Sequence, residues 1–355
     1  MCYTETGILY KICLWLIAGG YMSDNLNEKY KEIIEFLYAM SFTLFNELGI
    51  EIDIQILKED KLNAGVKHVK DNKYCICIYS GCLNLDYRIQ NITTRYTEDD
   101  LQFFWRVKGL RIFECFESDT YRENLNNLFA SMILVHIFFH ECCHILAKHL
   151  EGSEGIHEEY DSTLNGSYEL QEREMVADWL STKLVYESIF RAVVQYDNPD
   201  AEEMISILKQ ITILYWLSLT IEFQIFDSNH LEQTDDFSVL THPHPAVRLY
   251  YNLEAMRESM VDILNTYGLN DDQAEAEVNL IIEEFYIWIQ SFLLITDTPI
   301  DIRKNDFRII ECYIKLRDIP YKDGVEKNSY VHLIPLPDET RAKLEEYINF
   351  CKINE

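Results

Sequence analysis

His140, Glu141 and His144 fall in the order H-E-x-x-H within an apolar run from Leu128 to Leu150. On a helix, residues four apart share one face, with Cβ atoms about 5–6 Å apart. That spacing lets both imidazoles close on one Zn²⁺ at roughly 2.0–2.1 Å. The glutamate between them is not a ligand in such an arrangement. Its carboxylate reaches the water that attacks a carbonyl and can take its proton. The pattern points to zinc-dependent hydrolysis of peptide bonds. A plainer reading stands beside it, because short patterns arise by chance and apolar helices also carry buried histidines bonded to backbone.

A catalytic zinc needs a third protein ligand and an open position. The metzincin pattern fails at once, since Ala147 and Leu150 occupy the places of its Gly and third His. His149 is one residue out of register and is expected to be an exposed helix-end histidine, favoured by the negative end of the dipole. The better candidate lies in the run Glu169 to Leu180, where Glu169, Glu172 and Glu174 compete. Only Glu174 has Ala177 at i+3 and Asp178 at i+4. On a helix Glu174 and Asp178 project from one face, so Glu174 can ligate while Asp178 accepts the free N–H of a ligating histidine. Ala177 would let the two helices approach closely. An ordinary amphipathic helix shows the same residues, and acids are abundant in this chain.

With these residues in place, the chain resembles the gluzincin metallopeptidases of the HtpX-like group, which pair H-E-x-x-H with a later E-x-x-A-D. The stretch Thr241-His242-Pro243-His244-Pro245-Ala246-Val247-Arg248-Leu249 is similar to that group's T-H-P-x-x-x-x-R-[IL] element. The resemblance implies that His242 stabilises the oxyanion of the tetrahedral intermediate and that Arg248 orders the site through hydrogen bonds. The doubled His-Pro and the missing membrane spans look closer to soluble Lit-type phage-exclusion peptidases. That likeness implies cleavage of a host protein, with an elongation factor as the known target class, and leaves room for a phage-derived activator.

Local physics supports a stiff mount for this pair without the family. Each proline fixes its own φ and pushes the residue before it into an extended conformation. Such a loop suits a donor that must meet developing charge, and a rigid surface turn is the simpler alternative. It does not choose between His242 and His244. A weaker likeness covers Asn63-Ala64, followed by the strand-like Lys73 to Leu83. That strand is either a sheet edge that pairs with substrate main chain or an interior core strand.

The elements that must position these residues can be read from periodicity. A helix is expected over about 26–48, strands over about 50–58 and 73–80, then the motif helix and an acidic loop from Glu151 to Tyr168. That loop either gates the site or is simply exposed. The Glu174 helix should reach about Gln195, and Asn198-Pro199 should open another as N-cap and first residue. After the His-Pro loop a helix should end at Tyr267 with Gly268 as its cap. A last long helix is expected from about Asp271 to Leu294, before a small strand-and-helix tail. The apolar runs Ile205 to Phe226 and Val278 to Ile295 contain charges and read as core helices, not membrane spans.

The 355-residue chain can bury a substantial core, and 48% of it is apolar. A formal charge of −29 argues against binding a nucleic-acid backbone. The ten cysteines show no regular framework. Reduced, buried thiols in a cytoplasmic protein are expected, with Cys75 and Cys77 on one strand face. Ile8 to Gly20 is interrupted by Lys11 and suits neither a signal peptide nor a span, whereas Met22 precedes a helix-capping Ser-Asp-Asn. The expected organisation is therefore an upstream extension or misassigned start at 1–22, a metallopeptidase domain at 23–267 and a C-terminal helical and small α/β appendage at 268–355.

The expectation is a helix-rich α+β gluzincin with a small sheet beside the motif helix. His140, His144 and Glu174 hold Zn²⁺, Glu141 is the base, Asp178 and Arg248 support the site, and His242 or His244 donates to the oxyanion. The substrate is a protein or peptide, with no nucleic acid and no stable membrane insertion. Two rivals remain: an anti-repressor metallopeptidase, for which no basic recognition helix is evident, and a non-catalytic binding protein stabilised by zinc.

Overall fold

The computed structural model describes residues 26–93, 121–150, 157–158, 168–197, 201–227 and 242–296. Helix α1 (Leu26–Phe45) is followed by strands β1 (Glu51–Leu57), β2 (Ala64–Lys70) and β3 (Lys73–Tyr79), and then helix α2 (Leu85–Thr93). The motif lies on α3 (Tyr121–Leu146). A two-residue strand β4 (His157–Glu158) precedes helices α4 (Tyr168–Asp197), α5 (Ala201–Asp227), α6 (Pro245–Thr266) and α7 (Asp271–Thr296). This is a helix-rich α+β architecture with one small sheet.

The sheet order is β1-β3-β2-β4. β3 runs parallel to β1, with Glu51 opposite Lys73 and Leu57 opposite Tyr79, and antiparallel to β2. The segment from Lys73 is thus an interior strand, and its reading as a substrate-binding edge is overturned. Its residues Cys75 to Tyr79 are all buried, as expected for a strand covered on both faces. β2 had no clear sequence signal, because only Ala64, Gly65 and Val66 are buried while Lys67 is half-buried and His68 to Lys70 are exposed.

Asn63 gives the preceding turn a physical basis. It is fully buried, its Oδ1 accepts the Ala64 N–H at 2.9 Å, and its carbonyl accepts the Tyr79 N–H at 3.1 Å. Gly81 lies against the Lys61 backbone so closely that a Cβ would overlap it. The end of β3 is therefore clamped to the chain entering β2.

α3 packs on β2 and β3 on one side and on α4 and α5 on the other. Two stretches, Asn126–Leu146 and Met204–Phe226, are long and apolar enough to cross a membrane by length and composition. They are 94% and 78% buried within the protein and carry His136, His140, Glu141, His144 and Glu222 in buried positions. Buried polar groups of this kind need partners inside the fold. α7 joins the same core through Ala274, Val278, Ile281 and Phe285, and Phe285 meets Trp216 edge-on at 5.4 Å. The start of the expected appendage is therefore continuous with the core around α5 and α6. Residues 1–22, the capping residues before Leu26, most of the acidic loop, Asn198-Pro199, Thr241 and the tail beyond Thr296 lie outside the described residues.

The five described cysteines, at 75, 77, 82, 142 and 143, are buried free thiols. Cys75 and Cys77 share a strand face with sulfurs 3.8 Å apart. Burial, then the neighbouring Cys77, pushes the Cys75 thiol up to about 12, which makes it a poor thiolate and a packing group.

α4 and α6 are locked by Lys183. Its Nζ lies 3.3 Å from Glu258 and 3.5 Å from Asp262, and 4.8 Å above the Trp179 ring. Burial alone would lower the ammonium pKa, but Glu258, Asp262 and Glu187 outweigh it and raise the value. A raised folded-state pKa means stabilisation that is complete below the unfolded value, about 10.4, and lost as pH rises through the folded one. The stability gap between wild type and Lys183→Met, measured by denaturant unfolding, should therefore narrow at strongly alkaline pH. A gap that stays constant would remove the ion pairs from this lock.

Candidate metal centre

α3 ends its apolar run with His140 and His144 one turn apart, their ring centroids 4.8 Å from each other. α4 crosses it where Ala177, fully buried and with no bulk beyond Cβ, permits close approach. Glu174 then meets both imidazoles. His140 Nε2 lies 3.0 Å from His144 Nε2 and 3.0 Å from Glu174 Oε2. His144 Nε2 lies 3.6 Å from Glu174 Oε1.

The spacing of the donor atoms fits a metal ion. Ligands held at 2.0–2.1 Å around one tetrahedral ion stand about 3.3 Å apart. The two imidazole nitrogens at 3.0 Å, and the two Glu174 oxygens at 3.0 Å from His140 and 3.6 Å from His144, lie close to that value. Among the described residues this is also the group of His, Cys, Asp or Glu whose ligand atoms all lie within 4.8 Å of one another. His140, His144 and Glu174 can thus hold a metal ion. Glu172, on the same helix, does not join them.

The other nitrogen of each histidine is also engaged. His140 Nδ1 lies 2.9 Å from Asp178 Oδ1. Asp178 is fully buried and receives Arg248 Nε at 2.7 Å and Arg248 Nη2 at 2.8 Å. The Arg248 guanidinium is itself fully buried, 4.4 Å over the Phe223 ring. Burial raises the Asp178 carboxyl, but Arg248 outweighs it and holds the group well below the usual carboxylate range. Glu174 follows the same logic: burial raises it, and the imidazoles of His242, His144 and His140 bring it well below its ordinary value.

The proline-framed histidines separate cleanly. His242 is buried, with Nε2 3.3 Å from Glu174 Oε2. His244 is the N-cap of α6; its Nδ1 accepts the Ala246 N–H at 3.2 Å, and Pro245 is the first helical residue. Local sequence physics left the two equal. The structure puts His242 beside the Glu174 carboxylate and gives His244 a capping contact.

Glu141 is 1% exposed. Burial first, and then charges including the Glu141 carboxylate, push up the thiols of Cys142 and Cys143 on its own helix. Burial is also the main cause that raises Cys77 on β3, with a smaller contribution from Glu141.

Two features of this region were not expected. His149 is not an exposed helix-end residue; it is buried, with Nδ1 2.8 Å from His144 Nδ1. α3 stops at Leu146 instead of running to Leu150, so a five-residue offset that would separate the side chains on a helix brings them together. The second feature is a buried relay behind the site. His136 Nδ1 lies 2.9 Å from Glu222 Oε2, and its Nε2 lies 3.2 Å from Ser181 Oγ. The only sequence signal was a histidine one turn before His140.

No protein-family model, curated protein or solved structure matches the chain.

Metal content after dialysis tests the assignment of ligands. Glu174→Ala should bind metal far more weakly, whereas Glu172→Ala should keep the wild-type content. Asp178→Asn should fall between them, losing roughly 10–100-fold in affinity. Full retention by the Glu174 variant would exclude that residue as a ligand.

Proposed function

We propose that this chain is a zinc-dependent endopeptidase of the gluzincin type, acting on a protein substrate in the cytoplasm. The observation that carries the reading is the convergence of His140, His144 and Glu174, with Glu141 built into the same helix turn. Zinc suits a mixed nitrogen and oxygen donor set of this size. The ion would supply Lewis-acid polarisation of the scissile carbonyl and acidify water near neutral pH.

The remaining chemistry belongs to the chain. Glu141 takes a proton from the attacking water as its oxygen bonds to the carbonyl carbon. The same carboxyl then gives that proton to the leaving nitrogen as the C–N bond breaks, releasing a carboxylic acid and an amine, and the acid's remaining proton passes to the amine near neutral pH to leave carboxylate and ammonium. His242, at the border of the site beside Glu174, donates its N–H to the carbonyl oxygen as negative charge develops there. Asp178 and Arg248 keep His140 turned toward the metal.

A purely structural zinc site is disfavoured by the number of donors. Structural sites are closed by four protein ligands, while three side chains converge here among the described residues. Nor does a structural site need a buried carboxylate in Glu141's place. The likeness of the motifs to Lit-type peptidases makes a host protein attacked during phage exclusion the proposed substrate.

Glu141→Gln should retain metal and fold yet lose activity by several orders of magnitude. Comparing protein termini in cells that express wild type or Glu141→Gln would reveal the substrate; identical termini would sink the peptidase reading. With a substrate in hand, His242→Ala should lower kcat by about 10²–10³-fold with little change in KM or metal content. His244→Ala should cost mainly stability, by about 1 kcal/mol through the lost cap.

A further inference from the structure

α3 closes with a reverse turn built from its own backbone. Lys148 N–H donates to the Ile145 carbonyl at 3.1 Å, and His149 N–H donates to the His144 carbonyl at 3.0 Å. These are the paired bonds of a Schellman motif, which needs a left-handed residue just past the helix. Glycine usually serves there; here Lys148 takes φ 56°, a conformation in which its Cβ crowds the backbone. Such turns bring the residue after the left-handed one against the side chain three places inside the helix end, commonly as an apolar contact. In this chain those two positions are His149 and His144.

We infer that His149 is a positioning residue for the metal ligand His144, and that the α3 terminating turn exists in its strained form to deliver it. The inference rests on the metal-centre reading above. With Nε2 of His144 turned toward His140 and Glu174, its proton must reside on Nδ1. That N–H points at His149 Nδ1, 2.8 Å away, which accepts through its lone pair while its own proton sits on Nε2. The contact fixes the His144 tautomer, and the inclined rings, with centroids 5.0 Å apart, fix its rotation. Arg173, the residue before Glu174, donates Nη1 to the His149 carbonyl at 3.4 Å. The turn is thereby tied to the helix that supplies the third ligand. Each ligating histidine thus has its own outer partner: a carboxylate for His140 and a neutral imidazole for His144.

The test uses the full chain stripped of metal and titrated with Zn²⁺ against a chromophoric chelator, with the visible spectrum of the Co²⁺-loaded form as a second readout. His149→Leu should lose about 10–100-fold in Zn²⁺ affinity, the size typical of such partners, and its Co²⁺ bands should shift. His149→Asn, whose amide oxygen can occupy the place of Nδ1, should recover most of the affinity. Thermal unfolding of both variants separates binding from folding. Variants that lose stability while binding Zn²⁺ as wild type does would show that His149 merely fills the turn, and the inference falls. A wild-type chain that takes up no metal would overturn the centre itself, and this role with it.

Discussion

The interaction on which the site depends is the pairing of Arg248 with Asp178 in the protein interior. A buried guanidinium is tolerable only if its charge and its donors are met. Two aligned bonds to one carboxylate, with a ring face behind the guanidinium, meet that requirement. Arg248 lies one turn into α6, so its position depends on where that helix starts. Pro245 and the His244 cap fix the start. A loop of alternating histidine and proline thus sets the depth of the arginine, the arginine holds Asp178 as an anion, and the anion faces His140. The same loop carries His242 to Glu174. One rigid segment therefore reaches the centre at two points.

The burial of α3 explains why these contacts must be so complete. A helix covered by a sheet on one side and two helices on the other has no water for its polar side chains. His136, His140 and His144 mark successive turns of one face, and each is met by a side chain from elsewhere in the chain. The Ser181–His136–Glu222 arrangement resembles a nucleophilic triad in its order of contacts. Burial denies it that role, since all three side chains are fully enclosed. Ser181 Oγ also donates to the Asp178 carbonyl at 3.0 Å, so the relay braces the backbone of the residue that faces His140. Serine, histidine and glutamate here connect α3, α4 and α5 beneath the His140–His144–Glu174 group.

Much of this was legible in the sequence, for reasons that are local. Helix periodicity placed His140 with His144 and Glu174 with Asp178, because positions four apart share a face whatever surrounds them. The core helices were legible for the same reason, as was the end of α6, where Gly268 adopts a φ of 96°. What failed was decided by surroundings. β2 escaped notice because half of it faces outward and only its first three residues are core. β3 was ambiguous between edge and interior because a strand does not record how many neighbours it has. His149 was misplaced because the helix was extended four residues too far, past a lysine in a conformation that favours glycine.

The choice between His242 and His244 shows most clearly where local reasoning stops. Both precede a proline, so both have the same backbone restriction and neither is distinguished by its own sequence. The difference arises one residue later. Pro245 can begin a helix because the first position needs no N–H, whereas Pro243 is followed by another proline-restricted residue and cannot. The histidine that immediately precedes the helix must serve its free amides, and His244 Nδ1 does so at Ala246. His242 is left free of that duty and two residues further back, where it meets Glu174. Helix initiation, a property of the backbone, assigns one histidine to the cap and leaves the other beside Glu174.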